Sequence, residues 1–224
     1  MRMGAQSFYG SASVIIASDG YGARATRHSK GRQVQKIVFN QPLEESQWGE
    51  ASVDLRLGRS FTTLKKIDGC KISVARGLQG LGETGFWQTS ELSEFDEFGN
   101  RKTFILEPNG FVLVPTYESV KIPNNLIGLI EGRSTYARIG LTMHQTAPWI
   151  QPGWSGPIIL EIGNSGPLTI ELTPLIDRPC QLTFLRLTRP LPKHLAYGAK
   201  ISDVYLDHTH PIKQARKPRS SRAR

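Results

Sequence analysis

The run Gly132-Arg133-Ser134-Thr135-Tyr136-Ala137-Arg138 sets two aliphatic hydroxyls, of Ser134 and Thr135, between two guanidinium groups. Ser134 stands where the N-cap of a short helical turn would stand. The first turn of a helix presents free N–H groups, and Arg133 and Arg138 add positive charge, so the segment suits an anion such as phosphate. His144 and Thr146 follow, and Glu161 sits between Leu160 and Ile162 in an apolar run. Alternation along a strand puts Glu161 on the face opposite its two neighbours. Two readings follow for that carboxylate. It is an exposed glutamate on a sheet surface, or it lines a pocket beside an arginine and acts as a general acid/base. Spacing alone does not choose between them. His144 reads first as a hydrogen-bonded core histidine, and Trp149 and Trp154 read first as packing residues.

The elements that must position these residues read as β. From residue 37 onward, short apolar runs alternate with turn signals and no stretch sustains a helical period. Phe104-Ile105-Leu106 and Phe111-Val112-Leu113-Val114 flank Pro108-Asn109-Gly110. Pro presets φ and Asn or Gly tolerates positive φ, so a hairpin or a tight corner is expected there. Ile158–Ile162 and Leu168–Leu172 read as strands around a turn at 163–167, and Cys180–Leu187 as another. Many short strands with Gly/Pro turns argue for an all-β sandwich or barrel, interrupted by one short helix at 132–141. No internal repeat is evident.

The chain has 224 residues, 38% hydrophobic and 21% charged, enough for one domain with a real core. Its net charge of +9 is concentrated at the ends. Residues 1–36 carry six basic residues against Asp19, and residues 213–224 carry six with no acid, which leaves about −2 for residues 37–212. The division expected is a basic, flexible N-terminal extension (1–36), a β core (37–190), a C-terminal lid segment (191–212) and a basic disordered tail (213–224). Basic tails could contact nucleic acid without sequence preference; a solvated terminus is the preferred reading. No apolar run approaches a bilayer span, and Val14-Ile15-Ile16-Ala17 is too short even for a signal peptide's apolar region. Two cysteines, Cys70 and Cys180, make neither a disulfide framework nor a four-thiolate zinc site. Two buried thiols in a reducing cytoplasm are expected.

The stretch from Pro115 to Leu172, "PTYESVKIPNNLIGLIEGRSTYARIGLTMHQTAPWIQPGWSGPIILEIGNSGPLTIEL", resembles the dCTP deaminase branch of the dUTPase-like superfamily. "ASVDLRLG" (residues 51–58) resembles that branch's N-terminal signature, and "FILEPNGFVLVPTYESV" its central hairpin. The similarity runs from about Pro42 to about Leu187, with a weaker echo at "AYGAK". It implies a distorted, jelly-roll-like β-barrel, a homotrimer, and active sites shared between neighbouring subunits. It implies hydrolytic deamination of dCTP to dUTP and ammonia, with magnesium on the triphosphate and no zinc. The chain also lacks the H-x-E and P-C-x-x-C arrangement by which zinc deaminases activate water. Carried over by motif, Glu161 takes the proton from water and passes it to the pyrimidine, and Arg138 orients that carboxylate. The Ser134 hydroxyl and the Ala147 carbonyl hold the water. Arg133 and Thr135 contact phosphate oxygens, where bidentate guanidinium pairing suits arginine. Lys200 reaches the triphosphate, and Trp149 and Tyr197 complete the nucleotide contacts.

Two positions depart from the family pattern. Gln151 stands where an aspartate usually contacts the sugar 3′-hydroxyl and, in the dUTPase branch, positions the hydrolytic water. Glutamine still hydrogen-bonds a hydroxyl but is a negligible base, so the change argues against dUTP hydrolysis more than against deamination. Val204 stands where a glutamine usually contacts the base. Beside monofunctional deamination, two readings therefore stay open. One is a bifunctional dCTP deaminase/dUTPase. The other is a nucleotide-binding regulator with little turnover and nucleic-acid-contacting tails.

Overall fold

Apolar residues at every second position give the long strands one face to bury. In β11 (Ser155–Asn164), Ile158, Leu160 and Ile162 point inward, none more than 2% exposed, while Glu161 looks out. The computed structural model describes residues 13–14, 36–69, 71 and 86–199. Cys70, Lys200, Val204 and the basic tail lie outside the described residues, as does most of the N-terminal extension.

β11 pairs with β7 (Phe111–Lys121) from Ser155↔Lys121 to Gly163↔Phe111. Around this pair a seven-stranded sheet is built. β2 (Ile37–Phe39) and β4 (Ser60–Leu64) pair with β7, and β9 (Leu141–Thr142) pairs with β11. β1 (Ser13–Val14) extends β2, and β5 (Trp87–Glu91) extends β4. A four-stranded sheet runs β10 (Trp149–Ile150), β8 (Leu126–Gly132), β13 (Cys180–Arg186), β3 (Val53–Leu55). β6 (Phe104–Leu106) and β12 (Ile170–Leu172) form a separate ribbon. All these pairings are antiparallel. One helical turn, α1 (Ser134–Ala137), links β8 to β9, and a 3-10 turn at Glu45–Gln47 precedes β3. The all-β reading with one short helix holds; the sheets form a distorted barrel that does not close.

Val112, Val114, Leu160 and Ile162 from the large sheet join Leu55, Ile130, Cys180 and Leu182 from the four-stranded sheet in one buried cluster. Cys180 is fully buried, and that burial pushes its thiol up to about 12. No helix among the described residues is long and apolar enough to cross a membrane.

Two local features depart from simple strand pairing. Pro108-Asn109-Gly110 makes a corner and not a hairpin: Asn109 takes φ +60 and its N–H donates to the Asn164 carbonyl at 2.7 Å. The corner sends β6 to β12 while β7 goes to β11, so the flanking strands never pair. Along β7, Thr116, Tyr117 and Glu118 stand opposite the single Ile158. The bulge would orphan the Ile158 N–H, and the Thr116 hydroxyl accepts it at 2.9 Å. It also turns Glu118 inward, where it is 0% exposed.

Candidate active site

Glu161 is placed by two strands. Its N–H donates to the Met143 carbonyl at 3.1 Å, so residues 143–145 continue the pairing begun by β9. The Gln145 N–H donates to Glu161 Oε2 at 3.0 Å, and Gln145 Nε2 donates to the Glu161 carbonyl at 3.3 Å. Glu161 Oε1 has no hydrogen-bond partner among the described residues. A half-exposed carboxylate fixed through one oxygen keeps the other for a water or a substrate proton. His144 faces the other way. Its Nε2 lies 3.2 Å from Glu131 Oε2, and its Nδ1 is buried with no partner among the described residues. It is a half-buried histidine beside a carboxylate: the expected hydrogen-bonding contact is present, but the side chain lies outside the buried core.

The helical turn is clamped to the far end of β11. Gly140 (φ +88) follows α1, and a Cβ there would come within 2.2 Å of Gly166 N. A Cβ on Gly166 would come within 2.2 Å of the Ile139 carbonyl oxygen. The Ser165 N–H and hydroxyl both donate to the Gly140 carbonyl, at 2.8 and 3.0 Å. Asn164, 2% exposed, donates through Nδ2 to the Leu106 and Leu168 carbonyls and accepts from the Gly166 N–H. The Asn164-Ser165-Gly166 segment therefore exists to let α1 approach the strand that carries Glu161.

Within α1, the N-cap is Arg133, which corrects the expectation for Ser134. Arg133 is extended (φ −75, ψ 138), and its carbonyl accepts from the Tyr136 and Ala137 N–H groups. Ser134 is already helical, and no side chain caps the turn. Ser134, Thr135 and Arg138 are exposed. Among the described residues Arg138 forms no ion pair, so this single chain does not join it to Glu161. Arg133 Nη1 is held at 3.1 Å from Asp54 Oδ2 and 3.1 Å from the Arg178 carbonyl.

Ala147 and Gln151 are exposed on either side of β10. The two tryptophans divide: Trp149 is 53% exposed, whereas Trp154 is 9% exposed and donates through Nε1 to the Gly156 carbonyl at 3.1 Å. Tyr197 packs on Trp154 with ring centroids 5.3 Å apart, and its N–H donates to the Pro152 carbonyl at 2.8 Å. Sequence reading missed Asp54, Gln145 and Asn164. Only Asn164 carried a local signal, an Asn before Ser-Gly at the end of an apolar strand.

A family model described as "dCTP deaminase-like" matches residues 24–187. The dCTP deaminase, dUMP-forming, of Methanosphaera stadtmanae is 37% identical over 79% of this chain and 84% of its own length. The dCTP deaminase of Buchnera aphidicola is 38% identical over 66% of this chain and 76% of its own. Among solved structures, the 2′-deoxycytidine 5′-triphosphate deaminase from Agrobacterium tumefaciens shares the fold. It has a TM-score of 0.50 at 22% identity, over 68% of this chain and 44% of that one, so this chain spans less than half its length. Sequence similarity over this extent settles the family: the chain belongs to the dCTP deaminase-like family.

Proposed function

We propose that this chain hydrolyses the amino group of dCTP, giving dUTP and ammonia. The observation that carries the reading is a strand-borne carboxylate, Glu161, held through one oxygen only, inside a family match that spans residues 24–187. Water sits between Glu161 Oε1, the Ser134 hydroxyl and the Ala147 carbonyl. As its oxygen bonds to C4, one proton passes through Glu161 to N3. The proton of the new C4 hydroxyl then passes through Glu161 to the amino nitrogen, the C4–N bond breaks, ammonia leaves and C4=O forms. Arg138 orients the carboxylate and stabilises the charge that develops. Arg133, Thr135 and Lys200 take the triphosphate, Gln151 takes the sugar hydroxyl, and Trp149 and Tyr197 border the nucleotide. The enzyme works as a homotrimer in the cytoplasm, with sites shared between subunits.

Among the described residues no group of three or more His, Cys, Asp or Glu side chains is placed to hold a metal ion. Magnesium enters this reading as part of the substrate, on the phosphate oxygens.

The test is incubation with dCTP and magnesium, reading ammonia and pyrophosphate together. Ammonia release is expected from the wild type and not from Glu161→Gln, which still binds dCTP. Equal release from both would overturn the role of Glu161. A second reading has its own support, since the Methanosphaera stadtmanae relative is named dUMP-forming. Pyrophosphate beside ammonia would establish it; Gln151, with a non-basic amide, favours ammonia alone.

A further inference from the structure

Arg133 is expected to grip phosphate, yet its side chain is already engaged within the chain. Its ion-pair partner, Asp54 Oδ2, and its hydrogen-bond acceptor, the Arg178 carbonyl, both lie 3.1 Å from the same nitrogen, Nη1. Its guanidinium also lies over the Tyr136 ring, 5.8 Å from the centroid. Nε and Nη2 have no hydrogen-bond partner among the described residues. These two N–H groups form the side-on edge of the guanidinium, one of the two edges that can meet a phosphate bidentately.

Asp54 is well placed to impose that orientation. It sits on β3, and its strand neighbour across the sheet is Gln181 on β13. Val53 and Leu55 on either side are 0% exposed, so the strand cannot slide or turn. Its side chain is only 15% exposed, against 38% for Arg133. Burial raises its carboxyl above the usual range, and Arg133 and Arg178 oppose that shift. Arg178 itself donates through Nη1 to Ser46 Oγ at 2.8 Å, so its cationic head is directed elsewhere.

We propose that Asp54 is a positioning residue for triphosphate recognition: by holding Arg133 at Nη1 it turns the free Nε–Nη2 edge of the guanidinium to the substrate's phosphates. The proposal rests on the deaminase reading for its substrate, and its test separates the two.

Wild type, Asp54→Asn, Asp54→Glu, Arg133→Ala and the double variant Asp54→Asn/Arg133→Ala are compared for dCTP turnover. Binding of dCTP and dCMP is measured by calorimetry. Asp54→Asn is expected to raise KM for dCTP about tenfold with kcat within about threefold, the pattern of lost uniform binding. Its dCMP affinity stays unchanged, so the triphosphate preference falls. Asp54→Glu keeps the charge and recovers most of that preference. The double variant binds dCTP no worse than Arg133→Ala alone, because the two residues act as one unit. Equal losses for dCTP and dCMP, a loss confined to kcat, or additive losses in the double variant would each overturn the proposal. If Asp54→Asn melts early, Asp54→Glu and Arg133→Ala still decide it through the dCTP-to-dCMP ratio. A wild type that releases no ammonia yet prefers dCTP to dCMP defeats the deaminase reading alone. A wild type that binds both nucleotides equally defeats the role of Asp54.

Discussion

Glu118 and Glu161 are both strand-borne glutamates, and their surroundings give them different work. Glu118 is 0% exposed and meets three donors: Arg56 Nε at 2.6 Å, the Arg56 N–H at 2.8 Å and Gln47 Nε2 at 2.9 Å. Every one of those donors comes from the segment 47–56, so the carboxylate ties that segment to the bulge in β7. Arg56 in turn lies over the Tyr117 ring and reaches Glu44 at 3.0 Å. A carboxylate so enclosed, with 0% exposure, is out of reach of substrate. Glu161, with one donor and a free oxygen, is the one equipped to move a proton. Removing the Arg56 side chain strands a buried charge, a change that costs about 3–5 kcal/mol in comparable pairs. Arg56→Ala should therefore lower the midpoint of urea unfolding strongly, without altering the slope. A loss under about 1 kcal/mol would mean that water replaces the guanidinium and that the pair is not a structural tie.

Four residues do not make a helix that persists alone, because nucleation costs more than one turn returns. What holds α1 is the contact of Gly140 with Gly166 and the Ser165 hydrogen bonds to the Gly140 carbonyl. Gly140 is required twice, for its φ of +88 and for the absence of a Cβ. Gly140→Ala should cost about 3 kcal/mol, combining the left-handed penalty with overpacking against backbone. Backbone cannot move aside as a side-chain end can, so relief requires the turn to shift. Arg138 lies two residues before Gly140, so ammonia release should fall by more than the loss of folded protein accounts for. Circular dichroism melts beside the turnover assay check this. A variant as stable as the wild type would show that the turn is held by something other than this contact.

At the scale of the molecule, the four-stranded sheet has an outer face that a lone chain leaves uncovered. Cross-strand pairing sets Thr183, Leu129 and Trp149 in one row and Leu185 with Ile127 in the next. Leu185 is 47% and Trp149 is 53% exposed. An apolar face of this kind is commonly covered by another chain. The proposed homotrimer would use it as a contact surface, and the mass expected in solution is then about 75 kDa, three times the 24.9 kDa chain. Leu185→Asp places a charge on that face and should shift the mass measured by light scattering toward the single chain, with turnover falling in parallel. A variant that keeps both its mass and its activity would place the contact elsewhere. The near-neutral body, about −2, suits such packing, since the positive excess of the +9 chain lies in the termini.

Much of this was legible in the chain itself, because it depends on neighbours along the chain. The strand of Glu161, the face it takes, the short helix at 132–141 and a change of direction at Asn109 all follow from alternation and from residues that tolerate special φ values. The motif order around Ser134, Arg138 and Glu161 was enough to indicate the family. Strand partners were not legible: the 108–110 corner looked the same whether β6 paired with β7 or, as found, with β12. Nor was the pairing of Arg133 with Asp54, 79 residues earlier, or of Arg56 with Glu118, which needs a bulge to turn a glutamate inward. Alternation assigns a residue to a face and says nothing of what lies opposite. Which charges meet is decided by register between strands distant in sequence, and only the folded sheets set that register.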